Sequence, residues 1–84
     1  MAQNGWGVVR FSQSARKHRI GRAHALHVIA NNQPITIEEP DKPARLVWLA
    51  ADDRGIRLEI TAINTPVYLL VIHVMPNDLR RRKQ

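Results

Sequence analysis

The sequence predicts an α+β domain: a short N-terminal strand, then two helices packed on one face of a mostly antiparallel sheet of four to five strands. Three observations predict it. Helix-compatible segments are confined to residues 13–31, period-two alternation dominates residues 35–75, and Gly, Pro, Asn and Asp clusters break that second half at hairpin spacing. With 84 residues, 44% of them hydrophobic and 24% charged, the chain makes one domain over residues 1–84, of which 77–84 form a basic tail.

Residues 7–11 hold Val8, Val9 and Phe11, which favour a strand, and Ser12 then offers a helix N-cap. Residues 13–18 read as one or two helical turns with Ala15 facing inward, broken before Gly21. A second helix over residues 22–31 sets Ala23, Leu26, Ile29 and Ala30 on one side and His24, His27 and Asn31 on the other. The Asn31-Asn32 pair, able to take a left-handed cap, and Pro34 end it. Residues 35–38 alternate as a strand, the Pro40-Asp41-Lys42-Pro43 cluster breaks it, and residues 45–51 form the next strand around Trp48. Asp52-Asp53-Arg54-Gly55 is a tight connection in which Gly55 is free to take positive φ. Strict alternation over residues 56–62 then places Ile56, Leu58, Ile60 and Ala62 on the core side and Arg57, Glu59 and Thr61 opposite. After Asn64-Thr65-Pro66, residues 67–75 form the longest apolar run, as an interior strand would, with His73 its one polar interior residue.

Cysteine is absent, which excludes disulfide staples and thiolate metal sites and suits a reducing compartment. No apolar run approaches the roughly 18 residues a membrane span needs, and the first residues lack the basic and apolar regions of a signal peptide, so the expected location is cytoplasmic with no membrane contact. Thirteen Lys and Arg against seven Asp and Glu give +6 and a pI near 11.2. The cations are unevenly placed. Residues 1–37 carry Arg10, Arg16, Lys17, Arg19 and Arg22 and no acid at all, the middle of the chain is mildly acidic, and Arg80, Arg81, Arg82 and Lys83 end it. Ten of the thirteen are arginine, whose fork suits phosphate, although a charge excess alone fits a solubility face as well as a nucleic-acid partner.

Few residues carry candidate chemistry. A three-residue loop, Thr65-Pro66-Val67, would set Glu59 nearly opposite His73 and bring an imidazole, a carboxylate and the Arg57 guanidinium onto one open sheet face; a two-residue loop would instead set His73 on the core side opposite Leu58. The sequence does not choose between them, and a surface salt bridge accounts for the same trio. Lys17-His18-Arg19, between the helices and close to Arg22, forms a possible anion corner. His24 and His27 have the spacing of metal ligands but no acid or thiol among the first 37 residues, so no metal and no cofactor is expected. Motifs of nucleotide hydrolases, serine hydrolases and zinc proteases are missing.

Lys17-His18 followed by Ile20, Gly21 and a helix containing Ala23 resembles the Lys-His-Gly-hydrophobic segment of BrnT-like toxins, with Arg19 at the glycine position. Ile72-His73-Val74-Met75-Pro76 running into Leu79-Arg80-Arg81-Arg82 is similar to the last strand and Arg-rich end of that family and of the wider RelE-like ribonuclease toxins. The resemblance implies a RelE-like fold and the toxin of a type II toxin–antitoxin pair: a metal-independent endoribonuclease that inhibits growth, acts on RNA by 2′-OH attack, and is neutralised by a cognate protein antitoxin. On that reading His73 or Glu59 is the base, His18 the acid, and Arg57 and Arg22 stabilise the phosphorane. Lys17, Arg19, Arg80, Arg81, Arg82 and Lys83 then grip RNA or antitoxin. The competing reading is a non-catalytic nucleic-acid-binding or partner-binding regulatory domain; with aromatics at 5%, base stacking contributes little to it.

Overall fold

The computed structural model describes residues 6–77. Five strands form one sheet: β1 (Val9–Phe11), β2 (Ile35–Ile37), β3 (Arg45–Ala51), β4 (Arg57–Asn64) and β5 (Leu69–Pro76), in the order β1-β5-β4-β3-β2. β1 runs parallel to β5 and every other pair is antiparallel. The only α-helix among the described residues is α1 (Arg22–Asn31). The expected pair of helices on a mostly antiparallel sheet is therefore wrong; the described residues are mostly sheet, the sheet is mixed, and they carry one helix.

The missing helix has a local cause. Residues 13–18 yield a single 3-10 turn, Ser14–Arg16, in which Ala15, Arg16 and Lys17 donate their N–H groups three residues back, to Ser12, Gln13 and Ser14. Ser12 Oγ also accepts the Ala15 N–H at 3.2 Å, and Ser14 Oγ donates to the Ile72 carbonyl at 2.9 Å, pinning the turn to β5. Arg19, with φ of 58°, then turns the chain before a second helical turn can form. The parallel pair was unreadable in a three-residue strand whose partner lies about 60 positions away in the chain.

α1 packs against β3 and β4 through Ala25, Val28 and Ile29; of the expected Ala23, Leu26, Ile29 and Ala30, Ile29 is buried, Leu26 is half-buried and the two alanines are exposed. Alanines and aliphatic residues surround this helix, so its apolar side is weakly defined, and His24 Nδ1, 2.7 Å from Asp53 Oδ1, ties it to the β3–β4 hairpin. The helix ends without a left-handed residue. Asn32 is extended at φ −140°, and the side-chain amides of Asn31 and Asn32 donate to the carbonyls of His27 and Val28. The fully buried Trp48 donates its Nε1–H to the Asn32 carbonyl, joining the helix end to β3.

On β4 the alternation holds for Leu58, Ile60 and Ala62, all buried, while Ile56 lies in the preceding turn and is exposed. On β5 both expected registers fail. Asn64 pairs with Leu69 and Thr65 hydrogen-bonds Tyr68, leaving residues 66 and 67 at the tip; the pairing then slips between Thr61 opposite His73 and Ala62 opposite Val71, so Ile72 is the extra residue of a β-bulge. Leu69 and Val71 before the bulge and Val74 after it thus face the same core. His73 takes the other face.

Asp52 organises the β3–β4 hairpin. Its side chain is fully buried, accepts the N–H groups of Arg54 and Ile56, and receives the Arg54 guanidinium at 2.7 Å, while Gly55 supplies the positive φ of 84°. Burial pushes the carboxyl up, but the Arg54 and Ile56 hydrogen bonds and the Arg54 charge outweigh it and hold it below its ordinary value of 3.8. Asp52→Ala should cost about 2–3 kcal/mol of stability in urea unfolding at neutral pH. Because the folded carboxyl titrates lower than the unfolded one, this contribution is present above pH 3.8 and is lost as pH falls through the folded value, so wild type and variant should converge in acid. A gap constant with pH would contradict the assignment.

Candidate functional site

α1 and the 3-10 turn cover one face of the sheet through the core cluster that includes Ala15, Val28 and Ile29. Candidate residues fall on both sides of that sheet.

On the uncovered face, β4 presents Arg57, Glu59 and Thr61, and the β5 bulge presents His73. His73 lies directly opposite Thr61 and diagonal to Glu59, whose Oε2 is 3.4 Å from His73 Nε2. The His73 Nε2 atom is shielded from solvent and makes no hydrogen bond of good geometry, so the contact is an ion pair at most. Asn77 Nδ2 donates to the other oxygen, Glu59 Oε1, at 3.4 Å. Both partners keep about a third of their side-chain surface in water. Arg57, exposed, projects from the same strand face two residues from Glu59 and four from Thr61, the partner of His73, so an imidazole, a carboxylate and a guanidinium share one face. Such a group can move a proton and offset negative charge.

The other cluster lies at the β1 edge of the sheet. A cleft of about 360 Å³ is lined by Val8, Val9, Arg10, Phe11, Arg16 and Arg22. The Arg22 guanidinium sits over the Phe11 ring, 5.4 Å from its centroid, and the Arg10 guanidinium is 5.2 Å from the Tyr68 centroid. Lys17, His18 and Arg19 are exposed in the loop between Arg16 and Arg22, two of the lining residues. Among the described residues the one arginine paired with a carboxylate is Arg54.

The expected single centre is therefore divided. His73 and Glu59 come together and share a sheet face with Arg57, whereas Arg22 belongs to the cleft and does not join Arg57 on one phosphate. His18, the expected acid, lies in the helix-side loop and is not brought to His73. Arg80, Arg81, Arg82 and Lys83 lie outside the described residues. Arg10 and Arg16 were missed as site residues, although the acid-free start of the chain and the outward position of Arg10 between Val9 and Phe11 pointed to them.

His24, Asp52 and Asp53 place three possible metal-ligand atoms within 4.8 Å of one another. Asp52 is committed to its hairpin, and His24 ties α1 to Asp53, whose carboxyl it holds below the usual range. The group serves the packing of helix on hairpin. His27 contacts Asn31.

Among the described residues, the two non-glycine residues with positive φ are Arg19 and Asp41. Stability should rank Arg19→Gly at or above wild type and Arg19→Val lowest, about 1–2 kcal/mol below glycine, because a branched Cβ is crowded in this region. Thermal melts showing valine equal to glycine would contradict the backbone assignment.

No family model, curated protein or solved structure matches this chain.

Proposed function

We propose that this protein is the toxin of a type II toxin–antitoxin pair, a metal-independent endoribonuclease working in the cytoplasm. The observation that carries the reading is the 3.4 Å contact of His73 and Glu59 on an uncovered sheet face that also carries Arg57. A second support is local: the left-handed φ of Arg19 falls where the BrnT-like segment has glycine, the residue that conformation favours.

Glu59, its far oxygen held by Asn77, takes the proton of a ribose 2′-OH; O2′ attacks the adjacent phosphorus, Arg57 offsets the added negative charge, and protonated His73 gives its proton to the departing O5′. The products are a 2′,3′-cyclic phosphate and a 5′-hydroxyl. The pair supplies both proton transfers, so the distant His18 is not needed. DNA, lacking the 2′-OH, is not cut.

Purified protein incubated with single-stranded RNA and a chelator should release fragments ending in cyclic phosphate, and His73→Gln and Arg57→Gln should each slow release by about 100-fold or more while melting like wild type. Intact RNA with wild-type protein would overturn the enzyme reading.

A second reading, a partner-binding module without chemistry, is favoured by the apolar residues left on the uncovered face: Ile35, Ile37 and Leu49 are 63%, 43% and 46% exposed. Induction of the gene separates the two. Growth arrest relieved by His73→Gln supports the toxin, and unaffected growth supports the module.

A further inference from the structure

We propose that the arginine cleft at the β1 edge is a phosphodiester-binding site, distinct from the His73–Glu59 pair, that grips the backbone of a single-stranded nucleic acid without reading its bases or sugars. It rests on the RNA reading above only for the natural strand, not for cleavage.

Four features of the cleft support this. Arg10, Arg16 and Arg22 all line the cleft at the β1 edge, Arg22 over Phe11 on the helix side and Arg10 over Tyr68 on the uncovered face, and none has a carboxylate partner among the described residues, so their charge is left for a ligand to offset. Two of them lie over aromatic rings, Arg22 over Phe11 and Arg10 over Tyr68, which steadies the plane of each fork while leaving in-plane N–H groups for phosphate oxygens. Backbone donors are present as well. Leu69 donates to the Val8 carbonyl and Ser12 donates to the Val71 carbonyl, so the alternate residues Val9 and Phe11 direct their amides to the open edge of β1. α1 begins at Arg22 with no side-chain cap and no acid in its first turn, which leaves the helix start electropositive.

The side chains of the floor, Val8, Val9 and Phe11, are apolar and hold no polar group to read a base edge or a 2′-OH. The exposed Lys17, His18 and Arg19 in the adjoining loop extend the positive field. Position matters too. Arg10 is opposite Leu70 on β5, and His73 follows three residues later, about 10 Å along the strand. A strand held in the cleft can therefore pass over the sheet edge to the uncovered face.

The test is binding of a fluorescent 12-nucleotide RNA, and of the DNA of the same sequence, to full-length His73→Gln protein with and without Arg10→Gln and Arg16→Gln. Removing the two arginines should weaken both oligonucleotides by a similar factor, about tenfold at low salt, and reduce the slope of log affinity against log salt by about 1.4, at 0.7 per phosphate contact on a single strand. Lys42→Gln, a charge removed near the opposite sheet edge, should change binding less than about twofold. Equal binding with and without the arginines would overturn the site, as would a loss confined to RNA, which would mean that the cleft reads sugars. As a measurement on the unsubstituted arginines, the Arg22 Nε–H resonance should shift on titration with the DNA, and an unmoved resonance also overturns the proposal. Wild-type protein that leaves RNA intact yet shows the arginine-dependent binding would sink the nuclease and keep the cleft.

Discussion

The single extra residue at Ile72 decides what this small sheet can do. β5 lies between β1 and β4 and must bury Leu69, Val71 and Val74 against the same helix-covered core, a set that no unbroken alternation places on one side. The bulge changes the phase between Val71 and Val74 and in doing so turns His73 outward, opposite Thr61 and within reach of Glu59. Without it, keeping Leu69 and Val71 inside would carry His73 into the core and Val74 out of it. The Ser14 hydroxyl on the Ile72 carbonyl adds a hydrogen bond from the 3-10 turn at the irregular position. One local irregularity thus links the packing of the chain's first helical turn, the continuity of the core and the exposure of the candidate dyad.

Legibility in the sequence followed how strongly each segment separates its two sides. In residues 56–62 polar and apolar side chains alternate, and the buried set Leu58, Ile60 and Ala62 was readable without coordinates; the same is true of the Gly55 turn and of β3 around Trp48. In β5 nearly every residue is apolar, so the phase was undefined and a bulge left no mark. α1 failed for a related reason: alanine and aliphatic residues on several sides let a helical wheel choose a stripe that shares only Ile29 with the buried one, and the partner of His24, Asp53, lies 29 positions away. The 3-10 turn and a short helix share one local pattern, and length alone separates them.

Charge followed a simpler rule. The acid-free first 37 residues include β1, the 3-10 turn and the start of α1, which the fold gathers at one sheet edge, so a linear asymmetry becomes a spatial one. The acids of residues 38–59 are spent differently: Asp52 closes a hairpin, Asp53 holds the helix, and Glu59 meets His73. None of these neutralises Arg10, Arg16 or Arg22. An edge strand normally invites unwanted pairing with other chains, and a row of unpaired arginines discourages that with neutral or basic partners while favouring a polyanion.

The division into two clusters has a consequence for the size of the domain. A core built from one sheet face and a single ten-residue helix cannot also enclose a deep site, so polar groups that need partial shielding must borrow it from neighbouring side chains on a surface. His73 does this. Its Nε2 atom is shielded, 3.4 Å from Glu59 Oε2, although about a third of the side chain is in water. A flat face of this kind holds a proton-transfer pair but gives little grip on a flexible strand, since few of its contacts are desolvated. Grip and chemistry are then most economically placed on adjoining surfaces, with the aromatic-backed arginines at the edge supplying charge that the open face, where Glu59 carries a negative one, would partly cancel.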